Sequence, residues 1–320
     1  MSQHDEAPTS QSSSPGVEQG QVSTAGVGYA LGAYLLWGFF PAFWKLLQHV
    51  PAIQLLAHRM VWSVGFVAIL LAVMRRWSWL GKVRRQPKIA LVYLSAAVCI
   101  AINWGVYIWS VNNGFVVETA LGYFMNPLIN VVFGALFLKE RARRGQWMAI
   151  LIASIGVLYL TWSYGQPPWI ALTLAMTFAL YGLIKKKGTL AALEGLSLET
   201  ALLSVPALAY LVWVEAQGGG SWLGADTMTR TLLVLTGGAT VIPLLFFAGA
   251  VKRLTLTTVG IIQYLAPTIQ FLLGVFVYQE AFGWSKLVGF VFIWTGLVLY
   301  TLEGVLRATR MRRARKLKVL

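Results

Sequence analysis

Four amides and a tyrosine stand out against the apolar background of this chain because their spacing repeats. Tyr123, Asn126 and Asn130 fall at i, i+3 and i+7 and share one helical face. Gln263 and Gln270 have the same i, i+7 spacing in a second apolar run. Each set brackets a proline, Pro127 or Pro267. A proline inside a helix removes one backbone hydrogen bond and frees the carbonyl four residues earlier, here that of Tyr123 or Gln263. Amides and bare carbonyls in apolar surroundings need polar partners. The chemistry on offer is hydrogen bonding, either to a polar solute in a cavity or to neighbouring helices as glue. Asn103, Tyr107 and Ser110 form a similar stripe in a third run.

A second group carries charge. His58 and Arg59 sit in the otherwise apolar stretch LLAHRMVWS. An arginine stays charged in a protein. Lys45 and Glu118 lie at the ends of other apolar runs. Two readings of Arg59 stand open: with Lys45 it attracts an anionic group of a solute, or it pairs with Glu118 and locks helices together. His58 titrates near neutrality and is the candidate for proton coupling. A histidine bonded to a backbone carbonyl gives the same pattern. No carboxylate falls at the centre of an apolar run, which speaks against a proton relay. Three histidines, one cysteine and no paired aspartates offer neither a metal site nor a nucleophile–base pair. No cofactor is expected. Gly28 and Gly32 start an apolar helix without the rest of a phosphate loop, so close helix packing explains them.

The elements that position these residues follow from composition. The chain is 58% hydrophobic and 12% charged, against roughly 45–50% and about 25% in soluble domains. Apolar runs of about 20 residues span a bilayer as helices. Ten are counted: 27–47, 52–73, 89–110, 119–138, 145–163, 169–184, 197–214, 231–251, 256–278 and 284–303. Residues 1–25 read as a disordered cytoplasmic tail and 304–320 as a basic cytoplasmic tail that could grip anionic lipid heads. Of the 26 basic residues, 22 fall in alternate connections or the C-terminal tail. Basic connections stay in the cytoplasm, so both termini are expected there. The same placement argues against nucleic acid as the partner of the basic charge.

The sequence also repeats. ALGYFMNPLINVVFGALFLKE (120–140) and GIIQYLAPTIQFLLGVFVYQE (260–280) align at a shift of 140, matching Pro127 with Pro267, Gly134 with Gly274 and Glu140 with Glu280. Gly156 then meets Gly296 without a gap. The unit is five spans, and an odd number inverts the second half relative to the first. Residues 26–163 and 167–303 are the expected halves. Carriers of this design bind solute near the midplane between the halves. Gly145-x-x-x-Ala149 and Ser285-x-x-x-Gly289 also correspond. They suit contacts made by spans 5 and 10, as in a homodimer through them.

The segments WGFFPAFWKLL, AHRMVWS, VNNGFVVETALGYFMNPLIN and FIW near residue 292 resemble the drug/metabolite transporter superfamily, EamA type, and within it the RarD branch named for chloramphenicol sensitivity. The resemblance covers about residues 26–303. It implies an all-α membrane protein: ten helices around a central cavity, as two inverted EamA-type repeats with spans 5 and 10 peripheral. It implies a secondary transporter in a bacterial-type cytoplasmic (inner) membrane, exporting a small metabolite or drug-like solute and not acting as an enzyme. The alternatives weighed are a membrane-embedded lipid-linked transferase and an amino-acid-type exchanger without proton coupling.

Overall fold

The computed structural model describes residues 23–137, 139, 142–251, 253, 254 and 256–317. At 186, 187, 192, 251, 256, 257, 307, 308 and 310–317 only the backbone is described. Most of the expected N-terminal tail and Glu140 lie outside these residues.

The described chain is helical throughout and contains no strand. In order, the helices are α1 (Thr24–Leu46), α2 (Ala52–Met74), the short α3 (Trp79–Arg85), α4 (Pro87–Asn112), α5 (Val116–Phe137), α6 (Arg144–Tyr164) and α7 (Trp169–Lys187). They continue as α8 (Ala192–Ala216), α9 (Thr227–Val251), α10 (Leu256–Ile262), α11 (Leu265–Leu272) and α12 (Trp284–Leu317). Among the described residues nine spans are long and apolar enough to cross a membrane, α10 and α11 counting together within Thr258–Val277. The apolar part of α7, Trp169–Lys185, is shorter.

Four boundaries differ from the sequence expectation. α1 already starts at Thr24, where Ser23 accepts a hydrogen bond from the Gly26 amide at 3.2 Å. α8 starts at Ala192 rather than at 197, which carries Glu199 two turns into the helix. The expected helix 256–278 is broken at Gln263–Tyr264 and ends in a π-helical turn, Leu273–Val277. Pro267 contributes, because it cannot donate to the Gln263 carbonyl. That carbonyl is not free, however: it accepts from the Ala266 amide at 3.3 Å, a tightened turn. α5 runs unbroken through Pro127. Finally, α12 continues through the basic tail to Leu317.

Packing pairs the helices in a regular way. α6 lies on α12, α5 on α7 and α11, α4 on α7 and α8, α1 on α9 and α11, and α2 on α8 and α9. Small residues let α6 and α12 approach closely. A Cβ on Gly156 would stand 2.8 Å from the Gly289 carbonyl oxygen, and one on Gly296 2.6 Å from that of Ala149. Ala149 and Gly289, from the two small-residue motifs, are thus both engaged within one chain.

The end of the π-helical turn meets the start of α5. Glu280 accepts the amides of Val116 and Val117 at 2.7 and 2.8 Å, where the helix N-terminus favours negative charge. Gly274 makes the approach possible, since a Cβ there would lie 2.7 Å from the Val117 side chain. Burial pushes the Glu280 carboxyl above its usual range, against its amide donors and nearby Lys286 and Lys45.

Candidate functional site

Arg59 organises the polar interior. It is 3% exposed on α2. Its Nε donates to Thr240 Oγ1 of α9 at 2.8 Å. Its guanidinium lies 3.8 Å from the ring centre of Trp104 on α4 and 5.3 Å from that of Trp44 on α1. Among the described residues no carboxylate forms an ion pair with it. The phenols of Tyr107 and Tyr123 are within its electrostatic reach, and their rings meet edge-on at 5.7 Å. Five helices therefore converge on one buried cation, held by aromatic faces rather than a counter-ion.

The expected hydrogen-bonding stripes are only partly satisfied. Asn103 donates to the Leu174 carbonyl at 2.8 Å and to Thr177 Oγ1 at 3.0 Å, leaving its own carbonyl oxygen buried without a partner among the described residues. Tyr107 Oη, Ser110 Oγ and Asn126 Oδ1 are unpartnered in the same sense. Gln270 donates to the Trp37 carbonyl at 3.0 Å, tying α11 to α1, and its Oε1 stays unpartnered. Each such group costs about 1–3 kcal/mol if left dry. Asn103 and Gln270 thus each bond a neighbouring helix through one end of the amide, while the other end stays buried without a partner among the described residues.

Other sequence candidates lie elsewhere. Asn130 is exposed, and Gln263 sits half-buried in the break before α11. Lys45 lies 5.4 Å from the Tyr278 ring centre. His58 stacks on Trp222 at 5.7 Å, and its Nε2 has no hydrogen-bond partner among the described residues. Glu118, the other partner considered for Arg59, lies in the first turn of α5, with Lys286 of α12 at 4.0 Å. Arg59 is turned instead toward α1, α4 and α9.

Sequence reasoning missed Trp44, Trp104 and Thr240, because an indole in an apolar helix looks the same whether it faces lipid or a cation. It also missed a buried cluster of Lys185, Glu199, Tyr181 and Tyr93. Glu199 is 1% exposed and lies inside the span Leu193–Ala216, near its start rather than its centre. The signal was present in Lys185 and Glu199, which lie 14 residues apart across the α7–α8 turn.

One open groove, of about 210 Å³, runs between α1 and α9 and is lined by apolar residues including Phe39, Phe43 and Pro243. It carries none of the polar groups above.

Comparison with known proteins identifies the family. The chain matches the EamA-like transporter family over residues 24–162 and again over 168–302. It is 48% identical to a protein named RarD from Streptomyces exfoliatus, over 91% of this chain and 92% of that one. It is 45% identical to the uncharacterized transporter YojE of Bacillus subtilis, over 88% and 94% of the two chains. A solved crystal structure shares the fold at a TM-score of 0.55 and 21% identity, covering 88% of this chain and 99% of the other. With two family matches in tandem along most of its length and RarD-named relatives of this similarity, the chain belongs to the EamA-like transporter family, in its RarD-type branch, as a multi-pass bacterial membrane protein.

Proposed function

We propose that the chain is a secondary carrier that moves a small organic solute across the cytoplasmic membrane by alternating access, with Arg59 receiving an anionic group of the solute. Two inverted five-helix halves, α1–α6 and α7–α12, rock against each other around the site, and both termini face the cytoplasm. The direction is export. Support for the repeat comes from the packing: exchanging the halves turns three of the main cross-contacts into other observed ones. Thus α1 on α9 exchanges with α7 on α4, α1 on α11 with α7 on α5, and α2 on α9 with α8 on α4. Lys139 and Gln279, 140 residues apart, also share a left-handed backbone, at φ 54° and 51°.

The observation that carries the site reading is the buried Arg59 without a carboxylate partner among the described residues. A permanent charge in an apolar bundle is costly, and an incoming anion offsets that cost. Lys45 would assist the approach of the anion. Tyr107, Tyr123, Asn103, Asn126 and Gln270 supply hydrogen bonds from the surrounding helices. Since α6 and α12 consume their small residues on each other, a homodimer through the same helices would use their outer faces. The basic end of α12 would contact anionic lipid.

Thermal-shift screening of the purified protein against metabolites and antibiotics tests the site. Anionic compounds should stabilise the wild type, and Arg59→Gln should lose that effect while keeping its baseline melting temperature within a few degrees. Equal stabilisation by neutral analogues would remove Arg59 from the site.

A further inference from the structure

The carrier reading leaves one buried ionisable cluster unused. Glu199 of α8 accepts from Lys185 Nζ at 2.6 Å and from Tyr181 Oη at 3.0 Å, both on α7. Its side chain is 2% exposed and that of Lys185 is 21% exposed. Tyr93 of α4 closes over the pair. Its ring centre lies 4.9 Å from Lys185 Nζ, and its hydroxyl accepts from the Leu190 amide at 3.0 Å. Room for this ring is built into the α7–α8 turn. A Cβ on Gly188 would stand 2.6 Å from the Tyr93 hydroxyl, and one on Gly195 2.5 Å from the ring. The surroundings are apolar: Val67 and Leu71 from α2, Trp79 from α3 and Val241 from α9 join Tyr93 in one cluster. Among the described residues, the charged and titratable groups facing Glu199 are therefore Lys185 and Tyr181, with Tyr93 and Glu194 next to them.

Tyr93 belongs to the first family-matched stretch, and Lys185 and Glu199 to the second. The contact between them is thus one that rocking of the halves must break. While it is closed, the carboxylate is dry, neutralised by Lys185 and hydrogen-bonded by Tyr181. Once Tyr93 withdraws, water reaches Glu199. Glu199 also sits about 10 Å along α8 from its start, at 1.5 Å per residue. Carboxylates buried in membrane helices beside a lysine and tyrosines are suited to carry protons.

We propose that Glu199 is a proton-binding site of the carrier, gated by Tyr93 and held ionised by Lys185 and Tyr181 in the closed state. The proton comes from solvent water and adds to a carboxylate oxygen, and the Lys185 ammonium keeps its own. The cluster then passes from neutral to one net positive charge, which weakens the closed packing. This inference rests on the carrier reading for the meaning of the opening motion, but its test does not.

The test is infrared titration of the full chain in lipid nanodiscs, following the band of a protonated carboxyl group. The other carboxyls of the chain give bands of their own, so the Glu199 band is the component that appears in the wild type on acidification and is missing from Glu199→Gln. Because that variant leaves Lys185 uncompensated and could misfold, the double variant Lys185→Gln/Glu199→Gln is measured beside it, and it too should lack the band. Tyr181→Phe removes a donor to the charged form, so the band should move to higher pH. A Glu199 component that persists in the double variant, or a Tyr181→Phe titration that does not move, overturns the proposal. So does a wild type with no such component at any pH where it stays folded. These results leave the carrier reading intact. That reading fails separately, if no solute crosses liposomes containing the protein.

Discussion

At Arg59 the cost of burying a permanent charge is met by two indole faces and one threonine hydroxyl. A desolvated cation–π contact contributes about 2 kcal/mol, well short of a full counter-ion. In the proposed site Arg59 is therefore charged and under-compensated, a condition that a solute anion would complete. Arg59→Lys should not restore anion binding, because a lysine lacks the planar group that stacks on Trp104. Binding isotherms for any anionic hit should show a loss of about tenfold or more in that variant, and an unchanged affinity would mean that charge alone suffices. Outside the spans, Asp226 caps α9 by accepting from the Thr229 amide at 3.0 Å, and those hydrogen bonds hold its carboxyl below the usual range. A carboxyl whose pKa is lowered on folding adds stability above its unfolded value and loses it as pH falls through the folded one. Asp226→Asn should accordingly flatten the acid limb of the melting curve. An acid limb identical to that of the wild type would show that the cap does not act through its charge.

Among the elements, the break between α10 and α11 is the one the proline forecast in kind but not in form. The repeat pointed to Pro127 and Pro267 as equivalent kinks. Yet α5 absorbs its proline, whereas the second copy breaks at Gln263–Tyr264 and finishes in a π-helical turn. Pattern alone could not tell these outcomes apart, since both copies have the same spacing and differ in what packs around them. Pro267→Ala should let the helix close across Gln263. Hydrogen exchange at the Tyr264 and Leu265 amides should then slow by about tenfold or more, the effect of gaining stable helical bonds. Unchanged exchange would mean that packing, not the proline, sets the break. The start of α8 was hidden for a related reason. Serine, glutamate and glycine dominate residues 194–199, so hydropathy delayed the helix and left Glu199 at its edge. The α7–α8 turn, folded back on Tyr93, brings α7 and Tyr93 over it. Arg59, His58 and the polar stripes were legible because a charge or amide in an apolar run is rare. Their partners were not, because those come from helices far away in sequence.

For the whole molecule, the repeated P…G…E ending acquires a physical meaning. In the second copy the glycine admits the start of α5 and the glutamate caps it, so the motif joins the two halves of the chain. The α6–α12 contact joins them at the periphery through small residues. Gly156→Ala would place a methyl group against the backbone oxygen of Gly289, which cannot move out of the way. Overpacking of this kind costs about 1–3 kcal/mol. The melting temperature should drop by several degrees in that variant while anionic ligands still bind, and a neutral effect would mean that the two helices can separate freely.

The central claim is that a buried, unpaired arginine selects the charge of the transported solute. It is tested most directly by flux into liposomes containing the purified protein, comparing an anionic solute found by thermal shift with its neutral amide. The wild type should move the anion and discriminate against the amide, and Arg59→Gln should lose anion flux while inserting and melting like the wild type. Equal flux of both solutes in the wild type, or full anion flux in Arg59→Gln, would contradict the account.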